Sequence, residues 1–292
     1  MMVPAGDVPG EDPGADPGQD VVVAGLGATL RLRLGGAHRD ALHAAVEQAW
    51  ARCRVPAEPD HAAGAGGSAP DLEVVLDPRP EVVVAARGRG ATAATDLPTL
   101  LHHLSPAVTQ RLLEARAGEL VLLHACALAH PTTGRVAVLV APSGTGKTTT
   151  TRTLGARWGY LSDETAGVDA DGRVLAYPKP LSVIPAPGAV LKDQVAPDTL
   201  GLARPPAAPV VGALAVLERD PEGPDVPEVE EVTVVRALAE LAGQTSYLAR
   251  TPRPLHRLAA VVERAGGLRR VRYREAATLA PLLDAWCGED AR

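Results

Sequence analysis

RVAVLVAPSGTGKTTTTRTL, residues 135–154, decides the reading of this chain. It opens with an apolar run, passes through a glycine-rich turn and ends in a segment that predicts a helix. Its centre, Ala141-Pro-Ser-Gly-Thr-Gly-Lys-Thr148, fits the phosphate-loop pattern G-x-x-x-x-G-K-[ST], with Ala141 in place of the first glycine. The residue types follow from the task of holding an anion. Gly144 and Gly146 let the backbone bend so that successive amides point inward, and the following helix adds the positive end of its dipole. Lys147 has the reach for β- and γ-phosphates, the Thr148 hydroxyl suits Mg²⁺, and Thr149 adds a hydroxyl near an α-phosphate. The predicted nucleotide-binding set is therefore Ser143, Gly144, Thr145, Gly146, Lys147, Thr148 and Thr149. Ala141 is compatible only if its position needs no positive φ.

Working outward, Ser162-Asp163-Glu164 follows a short apolar strand, and Asp163 stands sixteen residues after Lys147. An isolated acidic pair is ordinarily a solvated turn. At a strand end beyond a phosphate loop, the pair suits metal binding and proton acceptance instead. Thr148, Asp163 and Glu164 are the candidate metal ligands, and Asp163 and Lys147 the candidate catalytic groups. His124 lies in an apolar run and, taken alone, reads as a core histidine. Lys179, in Pro178-Lys179-Pro180, reads as a solvated loop lysine. Arg250 is a candidate charge-stabilising arginine from a later loop. Val21-Val-Val-Ala-Gly-Leu-Gly-Ala-Thr-Leu30 starts like a dinucleotide fingerprint, but Leu30 occupies the third glycine position and strand alternation resumes there.

Composition narrows the function classes. The 292 residues carry 29 Lys+Arg and 35 Asp+Glu, a formal charge of −6. Asp7, Glu11, Asp12, Asp16 and Asp20 account for most of the excess, in a Pro/Gly-rich stretch over 1–20 that predicts a disordered tail. The remainder is nearly neutral, which argues against nucleic-acid binding and against a polybasic membrane surface. Three Trp, four Tyr and no Phe offer few stacking platforms for single strands. The apolar runs are too short for a membrane helix and the N-terminus does not read as a signal peptide. Cys53, Cys126 and Cys287 fit neither a disulfide framework nor a zinc site, so a reducing cytoplasm is expected. Only Lys147, Lys179 and Lys192 are lysines against 26 arginines, a bias attributable to coding.

The hydrophobic pattern predicts an α/β mixed sheet preceded by a small α/β unit over 21–95, with the nucleotide-binding domain over 96–292. Strands are predicted at 29–34, 72–76, 81–86, 121–129, 135–140, 160–162, 212–217, 232–235 and 268–273. Helices are predicted over 40–53, 97–120, the segment after the phosphate loop, 236–243, 254–265 and 277–286. Residues 57–70 predict a loop, and Asp169–Gly172 a hairpin turn.

The run from Leu123 to Val183, LHACALAHPTTGRVAVLVAPSGTGKTTTTRTLGARWGYLSDETAGVDADGRVLAYPKPLSV, resembles the catalytic domain of the HPr kinase/phosphorylase family. It is closer still to the HPr-kinase-like proteins associated with modified-peptide biosynthesis. The resemblance spans about residues 119–184, with a weaker echo from SYLART (246–251) to the C-terminal LLDAW. It implies a P-loop fold related to phosphoenolpyruvate carboxykinase, ATP and Mg²⁺ as cofactors, and a Ser/Thr hydroxyl of a peptide or small protein as phosphoacceptor. Phosphoenolpyruvate carboxykinase chemistry itself is the runner-up, though it normally belongs to much longer chains. Asp163 is implied as the base, Glu164 as metal-associated, and His124 as a group near the phosphate. The family's pair is usually Asp-Asp, so Glu164 is a departure. Related kinases form hexamers, so a homo-oligomer is an option that nothing in the sequence itself decides. Ala141 and Glu164 keep open an ATP-binding accessory or sensor protein, or a simple NTPase.

Overall fold

The computed structural model describes residues 20–56, 71–142, 146–186 and 188–289. The predicted tail (save Asp20), the predicted loop over 57–70, and Ser143, Gly144 and Thr145 lie outside the described residues.

The N-terminal unit is built on β1 (Val21–Gly25), β2 (Ala28–Gly35), α1 (Arg39–Ala49), β3 (Asp71–Leu76), α2 (Pro80–Gly88), β4 (Thr92–Ala94) and α3 (Leu97–Ala115). Its sheet runs β1-β2-β3-β4, with an antiparallel hairpin first and parallel pairs after. Along β2, Leu30, Leu32 and Leu34 point into the core while Arg31 and Arg33 point out, the period of two that a half-buried strand requires. The Gly-Leu-Gly stretch that starts like a dinucleotide fingerprint is the β1–β2 turn. Leu26 and Gly27 both take positive φ there, and a hairpin rather than a helix follows. Leu100, Leu104, Val108 and Leu112 of α3 enter the same core as Leu30, Leu32, Leu42 and Trp50. A domain cut after residue 95 therefore runs through this core, because α3 packs on the N-terminal sheet.

The 81–86 run is a correction: it is helical, not a strand. Pro80 opens α2, where its missing N–H costs nothing, and Val83 and Ala86, three apart, face the core. The open edge of β3 is taken by β4 instead.

The larger unit contains β5 (Val121–Leu123), β6 (Ala125–Ala129), β7 (Arg135–Val140), α4 (Lys147–Leu154), β8 (Gly159–Ser162), β9 (Ala166–Val168), β10 (Val174–Leu175), β11 (Leu181–Val183) and β12 (Asp193–Val195). It continues with β13 (Val210–Arg219), β14 (Glu228–Val232), α5 (Val234–Ala242), β15 (Thr245–Ser246), α6 (Pro254–Arg264), β16 (Leu268–Tyr273) and α7 (Ala280–Cys287). The central mixed sheet has the order β14-β16-β13-β7-β6-β8, with β7, β13 and β16 mutually parallel. Both faces are covered. Val136, Val138 and Val140 of β7 pack with α5 and α6, whereas Ala137, Leu139 and Ala141 pack with Leu154, Trp158 and Leu283. Burial on both faces explains why β6 and β7 are apolar throughout rather than alternating. A second sheet, β10-β9-β5-β15, and a ribbon, β11-β12, complete the unit.

Two further corrections concern strands. The strand expected at 232–235 lies earlier, at Glu228–Val232, and Val234 and Val235 begin α5. This edge strand is acidic and carries no apolar alternation. It forms because Glu228 and Glu230 register against Arg272 and Arg270 of β16 and ion-pair with them. The 121–129 run is two strands in two different sheets, broken at His124.

Arg52 ties the units together: its guanidinium, only 4% exposed, pairs with Asp198 at 2.7 Å and donates to the Leu202 and Ala203 carbonyls. Cys53, Cys126 and Cys287 are free and buried, and burial pushes each thiol up to about 12. Among the described residues no helix is long and apolar enough to cross a membrane.

Candidate functional site

A cleft of about 690 Å³ opens between the N-terminus of α4, the end of β8 and the β11–β12 ribbon. That is the size of a small-molecule site. Gly146 sits at the helix entrance with φ of 101°, a conformation that suits glycine, and its carbonyl accepts from Thr150 N at 2.8 Å. Ala141 lies at the end of β7, fully buried and without positive φ, so its methyl group is accommodated where the pattern usually has glycine. Lys147 begins α4 and folds back over the strand end, donating to the Ala141 carbonyl at 2.5 Å and to that of Pro142 at 3.0 Å. Partial burial lowers its pKa from the ordinary lysine value.

The acids are fixed by a local turn. Ser162 Oγ, buried at the end of β8, accepts from the amides of Glu164 (3.2 Å) and Thr165 (3.0 Å). Asp163, 3% exposed, is oriented by three donors. Thr148 Oγ1 reaches Oδ2 at 3.1 Å, Tyr160 OH reaches Oδ1 at 3.3 Å, and Lys179 Nζ lies 3.5 Å from Oδ1. Glu164 is more open, its side chain 44% exposed, and pairs with Lys179 at 3.1 Å. Burial raises the Glu164 pKa, but the charge and hydrogen bond of Lys179 outweigh it and hold the carboxyl below its usual range. Desolvation lowers the Lys179 pKa, and the two carboxylates overcome this and raise it.

Lys179 corrects the reading of a solvated loop lysine. It is 1% exposed and lies in the cleft wall. Its neighbour Tyr177 belongs to the N-terminal core, where its hydroxyl meets Thr109 Oγ1 at 3.0 Å. Gly25 makes room for that ring: a Cβ there would lie 2.3 Å from it. The segment is thus pinned in one unit and delivers a cation to the site of the other.

His124 is the second correction. It is exposed at the corner where the chain steps from β5 into β6, not buried in a strand. Its amide donates to Gln244 O at 2.8 Å, its carbonyl accepts from Ala141 N at 3.4 Å, and Nε2 contacts Ser246 Oγ at 3.2 Å. It lines the cleft together with Gly146, Lys147, Thr148, Thr149, Asp163 and Glu164. Arg250 does not: its guanidinium stacks 5.0 Å from the Tyr247 ring. Arg152 and Lys192 also face the cleft and were missed. All three lysines of the chain therefore line this one cleft, and their rarity was the available signal.

For a divalent cation, the donors are the hard oxygens of Thr148 and Asp163, 3.1 Å apart, with Glu164 beside them. Two adjacent ligands of an octahedral Mg²⁺ with bonds of about 2.0–2.1 Å stand about 2.9 Å apart, so the pair fits. Among the described residues no cluster of three or more His, Cys, Asp or Glu side chains could hold a metal ion. A cation held here would draw its remaining ligands from water and phosphate, the usual manner of Mg²⁺.

No family model matches this chain, and no curated protein matches it. Among solved structures it is similar to the HPr(Ser) kinase/phosphatase from Coxiella burnetii, at 12% identity over 58% of this chain and 94% of that one, with a TM-score of 0.27. A likeness at that score carries no argument about fold, activity or site.

Proposed function

We propose that this chain is an ATP-binding phosphotransferase that passes the γ-phosphoryl group to a hydroxyl, a Ser or Thr of a peptide or small protein. One observation carries the reading. Thr148 behind the phosphate loop and Asp163 at the end of β8 meet at 3.1 Å in the cleft that also holds Lys147. Lys147 leaves the Ala141 and Pro142 carbonyls to pair with phosphate oxygens, a stronger charge-assisted contact. Asp163 takes the acceptor proton, and Glu164 and Lys179 set the charge around it. Mg²⁺, bound through Thr148 and Asp163, supplies neutralisation of the charge that develops on the phosphoryl group. His124 faces the same space.

Incubation with Mg·ATP and candidate acceptor peptides, followed by intact-mass analysis, tests the transfer. The expected result is a gain of one phosphoryl group, lowered roughly 10²–10⁴-fold in Asp163→Asn. Undiminished transfer by that variant removes Asp163 from the role of base. A second reading, an ATP-binding accessory protein without transfer, is favoured by the three donors already engaging Asp163. Tight Mg·ATP binding with no acceptor modified supports it, and phosphate release without acceptor supports an NTPase.

A further inference from the structure

Lys179 contributes a charge to the cleft that the phosphate-loop chemistry does not require. Its ammonium lies 3.1 Å from Glu164 Oε2 and 3.5 Å from Asp163 Oδ1, and it donates to the Pro180 carbonyl at 3.3 Å. The side chain is 2% exposed and cannot swing into solvent. Its backbone is held on both sides: the amide donates to Tyr177 O at 2.9 Å, and the carbonyl accepts from Tyr160 OH at 3.1 Å. Tyr177, in turn, is anchored in the N-terminal core. The cation is thus a fixed part of the carboxylate pair.

Its charge decides what the pair can bind. Asp163 and Glu164 carry two formal negative charges; Lys147, Arg152, Lys179 and Lys192 all line the same cleft, and among the described residues Lys179 is the cation that ion-pairs with both acids. A free divalent cation entering the empty cleft meets no net negative charge, while it must still shed part of a tightly held hydration shell. A nucleotide changes this. Its polyphosphate engages Lys147 and brings several negative charges of its own. A lysine suits the position because its compact ammonium sits between two carboxylates and a carbonyl, where a planar guanidinium fork needs more room.

We propose that Lys179 is a built-in counter-cation that stops Asp163 and Glu164 from capturing a free divalent cation, so that metal enters the cleft only together with nucleotide. Lys179 is then a positioning residue that sets the binding order. The inference rests on the reading of the cleft as a metal–nucleotide site.

The test uses Mn²⁺ as the probe, its free concentration followed by electron paramagnetic resonance on the full chain. Nucleotide-free wild type is expected to leave Mn²⁺ free up to millimolar concentration, and to bind it saturably once ADP is added. Lys179→Met is expected to bind Mn²⁺ without nucleotide roughly tenfold or more tightly than wild type. Lys179→Arg, which keeps the charge, is expected to show no such gain. Saturable micromolar Mn²⁺ binding by nucleotide-free wild type overturns the proposal, and this arm stands even if the Met variant fails to fold. Equal Mn²⁺ affinity in a folded Lys179→Met variant also overturns it. Failure of wild type to bind Mn²⁺ with ADP present is a different outcome: it removes the nucleotide reading itself.

Discussion

Two short segments converge on the same carboxylates and arrive there by different physics. The first, Gly146 to Thr149, is a loop–helix junction whose chemistry is local. Its glycine takes φ of 101°, its lysine leads the helix, and its threonine hydroxyl reaches Asp163. The second, Tyr177 to Leu181, has no motif and little regular structure. It is stretched between two cores, with Tyr177 in the N-terminal one and Leu181 in that of the central sheet. Lys147 sits at the open side of the site and Lys179 at its closed side. A cation that must exchange partners belongs where solvent reaches it; a cation that must stay belongs where solvent does not.

Substituting each lysine separates these roles. The largest effect is expected in stability for Lys179→Met, because it leaves Asp163 buried without its counter-charge. A loss of about 3–5 kcal/mol is expected from denaturant midpoints at unchanged slope. Lys147→Ala is expected to cost no more than about 1 kcal/mol in stability but about 10–100-fold in Mg·ATP affinity, measured by calorimetry. If the two variants behave alike in both assays, the contrast between an exchanging and a fixed cation is wrong.

A smaller effect concerns pH. Glu164 titrates below its ordinary 4.5 in the folded chain, so its contribution is present above that value and fades as pH falls through the lower folded value. Lys179 titrates above its ordinary 10.5, so its contribution is full below that value and fades as pH rises through the higher folded one. Wild-type stability from this pair is therefore expected to be flat between about pH 4.5 and 10.5 and to fall on both sides. Urea midpoints measured beyond both ends of that range should show Lys179→Met losing the alkaline arm and, because Lys179 is what holds the Glu164 carboxyl down, the acid arm as well. The smallest effect is expected for Arg250→Ala, whose guanidinium stacks on Tyr247 outside the cleft. Its Mg·ATP affinity should stay within about twofold of wild type.

Much of the larger unit was legible because its strands are buried on both faces and its helices carry clear apolar stripes. The hairpin of β6 and β7, helix α4 and the turn at Asp169–Gly172 all follow from local pattern. The misreadings share one cause. EVVVAA has strand-like composition but becomes helix because β4 already fills the edge of β3. Glu228–Val232 looks like a loop but becomes strand because arginines on β16 wait for its acids. His124 looks internal because its flanking strands are apolar, yet those strands belong to different sheets and leave it at the corner between them.

What the sequence determined by itself is the Gly-Lys-Thr entry into a helix, the acid pair beyond it and the mixed α/β character of the chain. Each depends on residue types and spacings within a short stretch, where backbone geometry and side-chain reach are set locally. Only the tertiary structure decided that Lys179 is buried against those acids and that all three lysines share one cleft. Burial is the sum of contacts from elements far apart in the chain, here β8, the β11–β12 ribbon and the N-terminal core. No local pattern encodes that sum.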